Sequence, residues 1–159
     1  MKVILQEDTH PDPDFYYRQQ FRIYHEPYLI WDRETWETIL TTCDVYCIEI
    51  DGRDGGDVIL EDRGKGAAYI VDFSVLPDYQ GKGIGRLALE HIRKMTRKLT
   101  AVTRKETLHF FVKSGFILRK TLKNYYHAGV DGYYIVFERK PEKQRHKVRA
   151  SSNGCGVNQ

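Results

Sequence analysis

Residues 80–85 read QGKGIG and place three glycines within five positions, between an extended apolar segment and a predicted helix. Such a cluster is costly to order on folding, because glycine loses more backbone freedom than any other residue. Immediately before a helix, it indicates that some group comes very close to the main chain. The helix N-terminus adds unpaired N–H groups and a partial positive charge, which suit an anion. The run therefore predicts a strand, a tight turn and a helix that together hold a phosphate-bearing ligand.

The segments before this turn alternate between strand and helix patterns. An apolar first strand lies in MKVILQ, a helix follows Pro13 and is broken by Pro27, and Asp32 is placed to cap a second helix. A Gly-rich hairpin in DVYCIEIDGRDGGDVILED and the run AAYIVDFSVL predict a three-stranded meander. The glycine turn follows that meander directly, at the carboxyl end of a strand, where open sheets tend to bind ligands.

The segments after the turn predict two helices and three strands. The first helix starts at Ile84, and its apolar stripe consists of Ala88, Ile92, Met95 and Leu99. LTAVT is a short strand leaving that helix. A capping box from Thr103 to Glu106 opens the next helix, and Gly115 closes it. With FILRK and YYIVFERK as final strands, the order β-α-α-β-β-β-α-β-α-β-β predicts a mixed α/β layer.

The composition of the chain limits its domain organisation and location but does not indicate which reaction, if any, it catalyses. With 159 residues, 41% of them hydrophobic and 30% charged, we expect one globular domain over residues 1–140. The basic, then small and polar run 141–159 predicts a disordered tail. No apolar run approaches the ~20 residues that span a bilayer, so we expect no membrane partner. Three cysteines without a CxxC pair favour reduced thiols, a cytoplasmic location and no metal site.

The charge is divided unevenly along the chain. Residues 1–78 carry a net charge of −10, and residues 79–137 carry +9. The division is compatible with two solvated faces that attract each other, or with a first half that receives a cation and a second half that receives a polyanion. The basic helix after residue 84 has no interleaved aromatic platform and no known binding motif, which makes nucleic acid a weak hypothesis.

Three phosphate-binding motifs compete for the glycine turn. A P-loop requires GxxxxGK[ST], and the chain has no Gly-Lys-Ser/Thr. A dinucleotide fingerprint requires GxGxxG, and its third glycine falls on Arg86. Residues 80–85 fit QxxGxG, and residues 110–116, FFVKSGF, add an apolar–aromatic pair four residues before Gly-Phe. Together these resemble the two signatures of the GNAT superfamily of acyl-CoA-dependent N-acyltransferases, over residues ~68 to 138.

This resemblance implies a mixed, mostly antiparallel central sheet of six to seven strands with helices on both faces. It implies that the pyrophosphate of coenzyme A lies against the N–H groups of residues 80–85. The unpaired end of the preceding strand would bind the pantetheine arm, and an N–H near Val75 or Leu76 would polarise the thioester carbonyl. The open alternative is a tight turn without a ligand. The coenzyme A ligands implied are Phe73, Ser74, Val75, Gln80, Gly81, Lys82, Gly83, Ile84, Gly85 and Arg86.

The residues that often move protons in this family are replaced in this chain. Phe111 stands where many members have a donor tyrosine, and Arg104 stands where asparagine is frequent. Tyr69 stands where histone-type members have a glutamate, and LTAVT has no carboxylate where ribosomal-protein alanine acetyltransferases have one. The coenzyme A site is therefore easier to assign than the acid and the base.

Three substitutes are our catalytic candidates. Tyr79 lies directly before the glycine turn, where some protein N-terminal acetyltransferases have a catalytic tyrosine. Asp72 lies on the preceding strand and would act as a base, directly or through water. Tyr126 belongs to NYY, which resembles the peptide-gripping NYY loop of those N-terminal enzymes, and Tyr125 is its alternative. The weaker candidates are Glu49, His109 and His127.

The resemblance implies transfer of an acetyl group from acetyl-CoA to a primary amine. NYY favours a peptide N-terminus, whereas LTAVTRKETLHFFVKSGF is closer to N-acetylglutamate synthases and small-molecule resistance acetyltransferases, so both acceptor classes stay open. The alternative is a non-catalytic acyl-CoA-binding regulatory module, which Phe111 favours because it has no O–H. An exposed strand edge near the C-terminus would allow a homodimer.

Overall fold

The computed structural model describes residues 1–140, which form one seven-stranded sheet flanked by four α-helices. The predicted tail 141–159 lies outside the described residues. The predicted order of elements is confirmed, with two additional 3₁₀ turns at Pro27–Leu29 and Pro77–Tyr79. The elements are β1 (Val3–Glu7), α1 (Pro13–Ile23), α2 (Arg33–Thr42), β2 (Asp44–Ile50), β3 (Arg53–Gly64), β4 (Ala67–Val75), α3 (Ile84–Met95), β5 (Lys98–Thr103), α4 (Lys105–Lys113), β6 (Ile117–His127) and β7 (Val130–Glu138).

The strands lie in the order β1-β2-β3-β4-β5-β7-β6, and β4–β5 is the single parallel pair. One core packs α3 and α4 against one face of the sheet, around Ile92 and Phe111. A second core packs α1 and α2 against the other face, around Tyr16 and Trp36. The predicted mixed, mostly antiparallel sheet with helices on both faces is confirmed.

The parallel pair β4–β5 separates after three residues. Pairing runs from Ala67 opposite Lys98 to Tyr69 opposite Thr100 and then stops, although both strands continue. The edge of β4 that faces β5 is therefore unpaired over its second half, as the sequence predicts. A gap of this kind exposes backbone N–H and C=O groups that require partners.

A β-bulge at Val71 changes which side chains of β4 face which core. Ile59 lies opposite Asp72 and Leu60 lies opposite Ile70, so Val71 has no partner on β3. Before the bulge, Ile70 packs on the α3–α4 core. After it, Asp72 faces the same side as Ile59, which belongs to the α1–α2 core. One extra residue thus turns a carboxylate toward α1.

Two local predictions after the glycine turn are wrong. Helix α3 ends at Met95, and Leu99 belongs to β5, because Thr96 leaves the helix in an extended conformation. The capping box at Thr103 does not form. Arg104 is the N-cap of α4 and makes no side-chain cap bond, while the Thr103 hydroxyl lies 2.5 Å from that of Thr107.

Other local predictions agree with the structure or need a small change. The Asp32 side chain accepts from the Thr35 N–H at 2.7 Å and caps α2 as predicted. Tyr125 and Tyr126 lie on β6 rather than in a loop, at an irregularity that starts near Asn124 with its positive φ of 54°. None of the helices within residues 1–140 is long and apolar enough to cross a membrane.

Candidate active site

A cleft of 790 Å³ opens where β4 and β5 separate. The glycine turn, residues 79–86, lines one part of it. Aromatic side chains from the segment between α1 and α2 and from β6 line another part, which we call the aromatic wall: Tyr24, Tyr28, Trp31 and Tyr126. Among residues 1–140, three side chains that carry charge line the cleft: Asp72, Arg86 and Arg104. The cleft therefore connects the glycine turn, which is suited to binding phosphate, to a separate polar site.

The glycine turn has the geometry of an anion cradle. Gly81 and Gly83 have φ angles of 74° and 80°, in the left-handed region that favours glycine. A Cβ added at either position would meet nothing within 4 Å, so the space beside the backbone is open. Gly83 is the N-cap of α3, and no side chain caps that helix end. Its N–H groups and partial positive charge are thus available to a ligand.

Gly85 and Gln80 hold the turn in place rather than leaving space for a ligand. A Cβ on Gly85 would come within 3.3 Å of the Phe110 ring, so the missing side chain lets α3 and α4 pack closely. The Gln80 side chain donates to the Val75 carbonyl at 2.8 Å and ties the turn to the end of β4. These two residues thus differ in role from Gly81 and Gly83.

The unpaired edge of β4 offers one backbone donor to the cleft near the turn. The Leu76 N–H donates to the Gly55 carbonyl at 2.8 Å and is therefore committed to β3. Because alternate N–H groups of an extended strand point to opposite sides, the Val75 N–H points toward the gap. Of the two predicted oxyanion donors, Val75 fits the geometry and Leu76 does not.

Two neighbouring buried carboxyl groups form what we call the polar floor, and of the two Asp72 lines the cleft. Asp57 is 2% exposed and Asp72 is 9% exposed. The Tyr24 hydroxyl donates to Asp72 Oδ1 at 2.7 Å, and the Gln19 amide donates to Asp57 Oδ2 at 3.2 Å. Asp57 Oδ1 and the Ser74 hydroxyl are buried without a hydrogen-bond partner. Two adjacent carboxylates cannot both be ionised cheaply, so this floor holds a proton.

The proton belongs chiefly to Asp57. Burial, together with the neighbouring Asp72 carboxylate, raises the pKa of Asp57 well above its ordinary range. Burial also raises the pKa of Asp72, whereas hydrogen bonds from Asp57 and Tyr24 oppose that rise. Burial and the same carboxylate raise the pKa of Tyr24, which stays a neutral donor. Asp72 is thus a buried carboxyl group of raised pKa that accepts a hydrogen bond from the Tyr24 hydroxyl.

We expect Asp57→Asn to flatten the dependence of the melting temperature on pH. Between the ordinary pKa and the raised folded pKa, the folded state keeps a proton that the unfolded state loses, so stability falls as pH rises. Each pH unit in that window costs up to about 1.4 kcal/mol, or roughly 3–6 °C. An asparagine has the size of the aspartate and still accepts from Gln19 without titrating.

Thermal unfolding from pH 5 to pH 9 tests this expectation. Asp62→Asn, on the same strand but exposed, is the control and should keep the wild-type slope. An unchanged slope in Asp57→Asn would show that Asp57 does not retain the proton.

The other predicted residues divide between the cleft and the surface. Tyr79 lines the cleft beside the turn, with the Lys82 ammonium 5.9 Å from its ring centroid. Tyr126 lines the aromatic wall, and its hydroxyl donates to the Val102 carbonyl at 3.0 Å. Burial raises the pKa of Tyr126, so it remains a neutral hydroxyl. Tyr125 is half exposed and packs edge-on against Tyr126.

The weaker candidates do not line the cleft. Glu49 lies on β2, and His109 lies on the exposed face of α4. His127 stacks on Tyr28 with ring centroids 5.3 Å apart. Phe111, at the usual donor position, lines the cleft within a cluster of phenylalanines and brings no hydroxyl.

Tyr24, Asp57 and the orientation of Arg104 were not predicted. Tyr24 lies one residue past α1 and reaches Asp72 over 48 positions of sequence. Asp57 meets Asp72 only because of the strand register and the bulge. No spacing in the sequence signals either contact. The position of Arg104 could have been anticipated, because a cationic residue at the start of a helix that borders the cleft is well placed to reach a ligand.

Comparison with known proteins decides the family. Residues 41–118, from the end of α2 through α4 to the start of β6, match the family model described as an acetyltransferase (GNAT) domain. Residues 41–118 belong to the GNAT superfamily. A search of curated proteins finds no significant match. The aromatic wall, whose members come from the segment between α1 and α2 and from β6, lies outside the matched residues.

Solved structures share the fold at low sequence identity. The ribosomal-protein-S18-alanine N-acetyltransferase from Escherichia coli superposes with a TM-score of 0.75 at 18% identity, covering 91% of this chain and 98% of its own. A GNAT family acetyltransferase from Elizabethkingia anophelis, solved with acetyl-CoA bound, gives 0.67 at 19% identity, covering 86% and 98%. A spermidine N-acetyltransferase chimera from Vibrio cholerae and hSSAT gives 0.68 at 17%, covering 87% and 96%.

These three relatives differ in what they bind or act on by name, so a shared GNAT fold does not identify the acceptor of this chain. Within residues 1–140, no group of three or more His, Cys, Asp or Glu side chains is placed to hold a metal ion.

Proposed function

We propose that this GNAT protein transfers an acetyl group from acetyl-CoA to a primary amine of a small molecule or a peptide N-terminus. The observation that carries the proposal is one continuous cleft that joins an open glycine cradle to a buried carboxyl group. The cradle suits a pyrophosphate, and the carboxylate suits the proton of an attacking amine. A relative that was solved with acetyl-CoA bound supports the choice of acyl donor.

The residues present fit coenzyme A. Gly81 and Gly83 leave open space beside uncapped N–H groups at the start of α3. Lys82 and Arg86 are exposed next to them and supply positive charge for phosphates. The unpaired edge of β4 from Phe73 to Val75 offers backbone groups to an amide-containing chain. We therefore assign these residues, with Gln80 and Gly85 as supports, to the coenzyme A site.

Acetyl-CoA supplies an activated acetyl group, so the amine nitrogen bonds to the carbonyl carbon while the C–S bond breaks and its electron pair stays on sulfur. Asp72 accepts the amine proton, directly, through water or through the Tyr24 hydroxyl that donates to it. The Val75 N–H faces the gap where negative charge develops on the carbonyl oxygen. We assign the hydroxyl of Tyr79, which lines the cleft beside the glycine turn, to donating a proton to the leaving sulfur.

Release of free thiol from acetyl-CoA tests this function. The full chain is assayed against polyamines, amino acids, aminoglycosides and short peptides, and a thermal shift with acetyl-CoA alone reports binding. We expect a shift of several degrees, and thiol release with one amine class. Absence of any thermal shift would show that the glycine turn does not bind acetyl-CoA, and would overturn the proposal.

A non-catalytic acyl-CoA-binding module is the second candidate. Phe111 favours it, because a buried phenylalanine, 6% exposed, occupies the usual position of the donor tyrosine. A module of this kind would give the thermal shift with acetyl-CoA and no thiol release with any amine. The buried carboxylate Asp72 at the cleft speaks for the enzyme, because a module that only binds has no use for a base.

We expect Tyr126→Phe to raise the KM of the acceptor about three- to tenfold and to leave the KM of acetyl-CoA within twofold. The reason is that Tyr126 belongs to the aromatic wall and lies away from the glycine turn. Tyr125→Phe is the matched control, because Tyr125 is half exposed and does not line the cleft. Equal effects of Tyr126→Phe on both KM values would place the acceptor elsewhere.

A further inference from the structure

Arg104 is a charged group in the cleft that the proposed chemistry does not use. It follows β5 directly, is half-buried, and lines the cleft. Its guanidinium carbon lies 5.7 Å from the centroid of the Tyr24 ring. Within residues 1–140, no carboxylate approaches its guanidinium nitrogens to 4.0 Å. Its guanidinium N–H groups are therefore available to an anion that a ligand brings into the cleft.

The surroundings of Arg104 strengthen a positive site next to a negative one. The backbone of Arg104 is the N-cap of α4, at the positive end of a nine-residue helix. The same Tyr24 side chain that lies under Arg104 donates its hydroxyl proton to Asp72. One tyrosine is therefore in contact with a cation and an anion that line the same cleft. This pairing of charges complements a small zwitterion.

We propose that Arg104 binds a carboxylate of the acceptor, so that the acceptor is an amino acid or another small amine with a carboxylate a few bonds from its amine. This inference rests on the proposed function, because it places the reacting amine at Asp72. A guanidinium presents its N–H groups as a fork that matches the two oxygens of a carboxylate. Arg104 is then a specificity-determining residue and not a catalytic one.

This acceptor class differs from the cation that the acidic first half of the chain favours. Of the 17 acidic residues in 1–78, Asp72 alone lines the cleft within the part of the chain that the structure describes. A polyamine would meet one carboxylate and one arginine, and the arginine would repel it. The N-terminus of a longer peptide has an amide where an amino acid has its carboxylate, and would leave Arg104 unpaired.

Matched acceptor pairs test the inference. The twenty amino acids and their C-terminal amides are assayed at saturating acetyl-CoA, together with spermidine and a peptide with an amidated C-terminus. We expect kcat/KM for the best amino acid to exceed that of its amide about 10- to 100-fold, as for loss of one charge-assisted interaction. The direction is informative, because an amide leaves its α-amine more easily deprotonated and more reactive than a carboxylate does.

Variants of the two arginines in the cleft assign this preference to a residue. Arg104→Gln should reduce the ratio of acid to amide to near one, mainly through the acceptor KM, and Arg104→Lys should restore part of it. Arg86→Gln is the matched control at the glycine turn. It should raise the KM of acetyl-CoA and leave the ratio unchanged.

The outcomes separate this inference from the proposed function. If an amide, spermidine or the peptide releases thiol at least as fast as every amino acid does, the carboxylate site is overturned. The proposed acetyltransferase function would still stand. A ratio that Arg104→Gln leaves unchanged, or an equal rise in the KM of acetyl-CoA, would lead to the same conclusion. If no acceptor gives thiol release, binding of amino acids and their amides is measured instead, as thermal shifts of the protein saturated with coenzyme A. A shift by amino acids, absent with amides and in Arg104→Gln, supports the site, and no shift overturns it.

Discussion

Gly83→Asp should weaken binding of acetyl-CoA by about 100-fold or more while leaving a folded protein. The position has open space around it, so an aspartate side chain fits without a clash, and its φ of 80° adds only a modest backbone strain. Its carboxylate would occupy the space in front of the α3 N-terminus that we assign to the pyrophosphate. Two like charges about 4 Å apart repel by roughly 4 kcal/mol at an effective dielectric constant of 20, and solvent at this exposed turn reduces that figure.

Gly83→Asn is the matched control for charge. Asparagine has the size of aspartate and tolerates the left-handed region about as well, at a cost of about 1 kcal/mol. Both variants should therefore lose a similar 2–4 °C of melting temperature. Isothermal titration with acetyl-CoA should show an affinity loss of about tenfold or less for asparagine. An equal loss in both variants would assign the effect to backbone strain, and full affinity in Gly83→Asp would remove the turn from the coenzyme A site.

The sequence predicted the fold and the glycine cradle because both depend on local patterns. The strands and helices follow from apolar periodicity, from Asp32 as a cap and from glycines with positive φ. The left-handed conformations of Gly81 and Gly83 are properties of a few consecutive residues. Features of this kind are determined by a few consecutive residues and can therefore be predicted from the sequence alone.

The polar floor could not be predicted in the same way, because it depends on register and on one inserted residue. Asp72 faces α1 only because the bulge at Val71 shifts its phase relative to Ile70. Asp57 and Tyr24 reach it from β3 and from beyond α1, and each contact is set by tertiary packing. The capping box at Thr103 failed for a related reason, since the hydroxyl of Thr107 takes up that side chain.

Asp72→Asn should lower kcat by about 100- to 1,000-fold, the typical contribution of a positioned general base. Acetyl-CoA should still raise the melting temperature of the variant, because the glycine turn is unchanged. Glu49→Gln makes the same acid-to-amide change on β2, outside the cleft, and should leave kcat within twofold. If kcat falls in Glu49→Gln and not in Asp72→Asn, Glu49 rather than Asp72 would be the general base.

The pH profile separates a base from a residue that only supports the structure. Burial raises the pKa of Asp72, and the Tyr24 hydroxyl opposes that rise by donating to the ionised carboxylate. The base acts when deprotonated, so kcat/KM in the wild type should rise with pH through a value above the ordinary range of an aspartate. Tyr24→Phe removes a donor to the charged form, which raises the pKa of Asp72 further and should move this acidic limb to higher pH. If Asp72 only holds α1 against the sheet, Tyr24→Phe should lower stability and leave the limb where it is in the wild type.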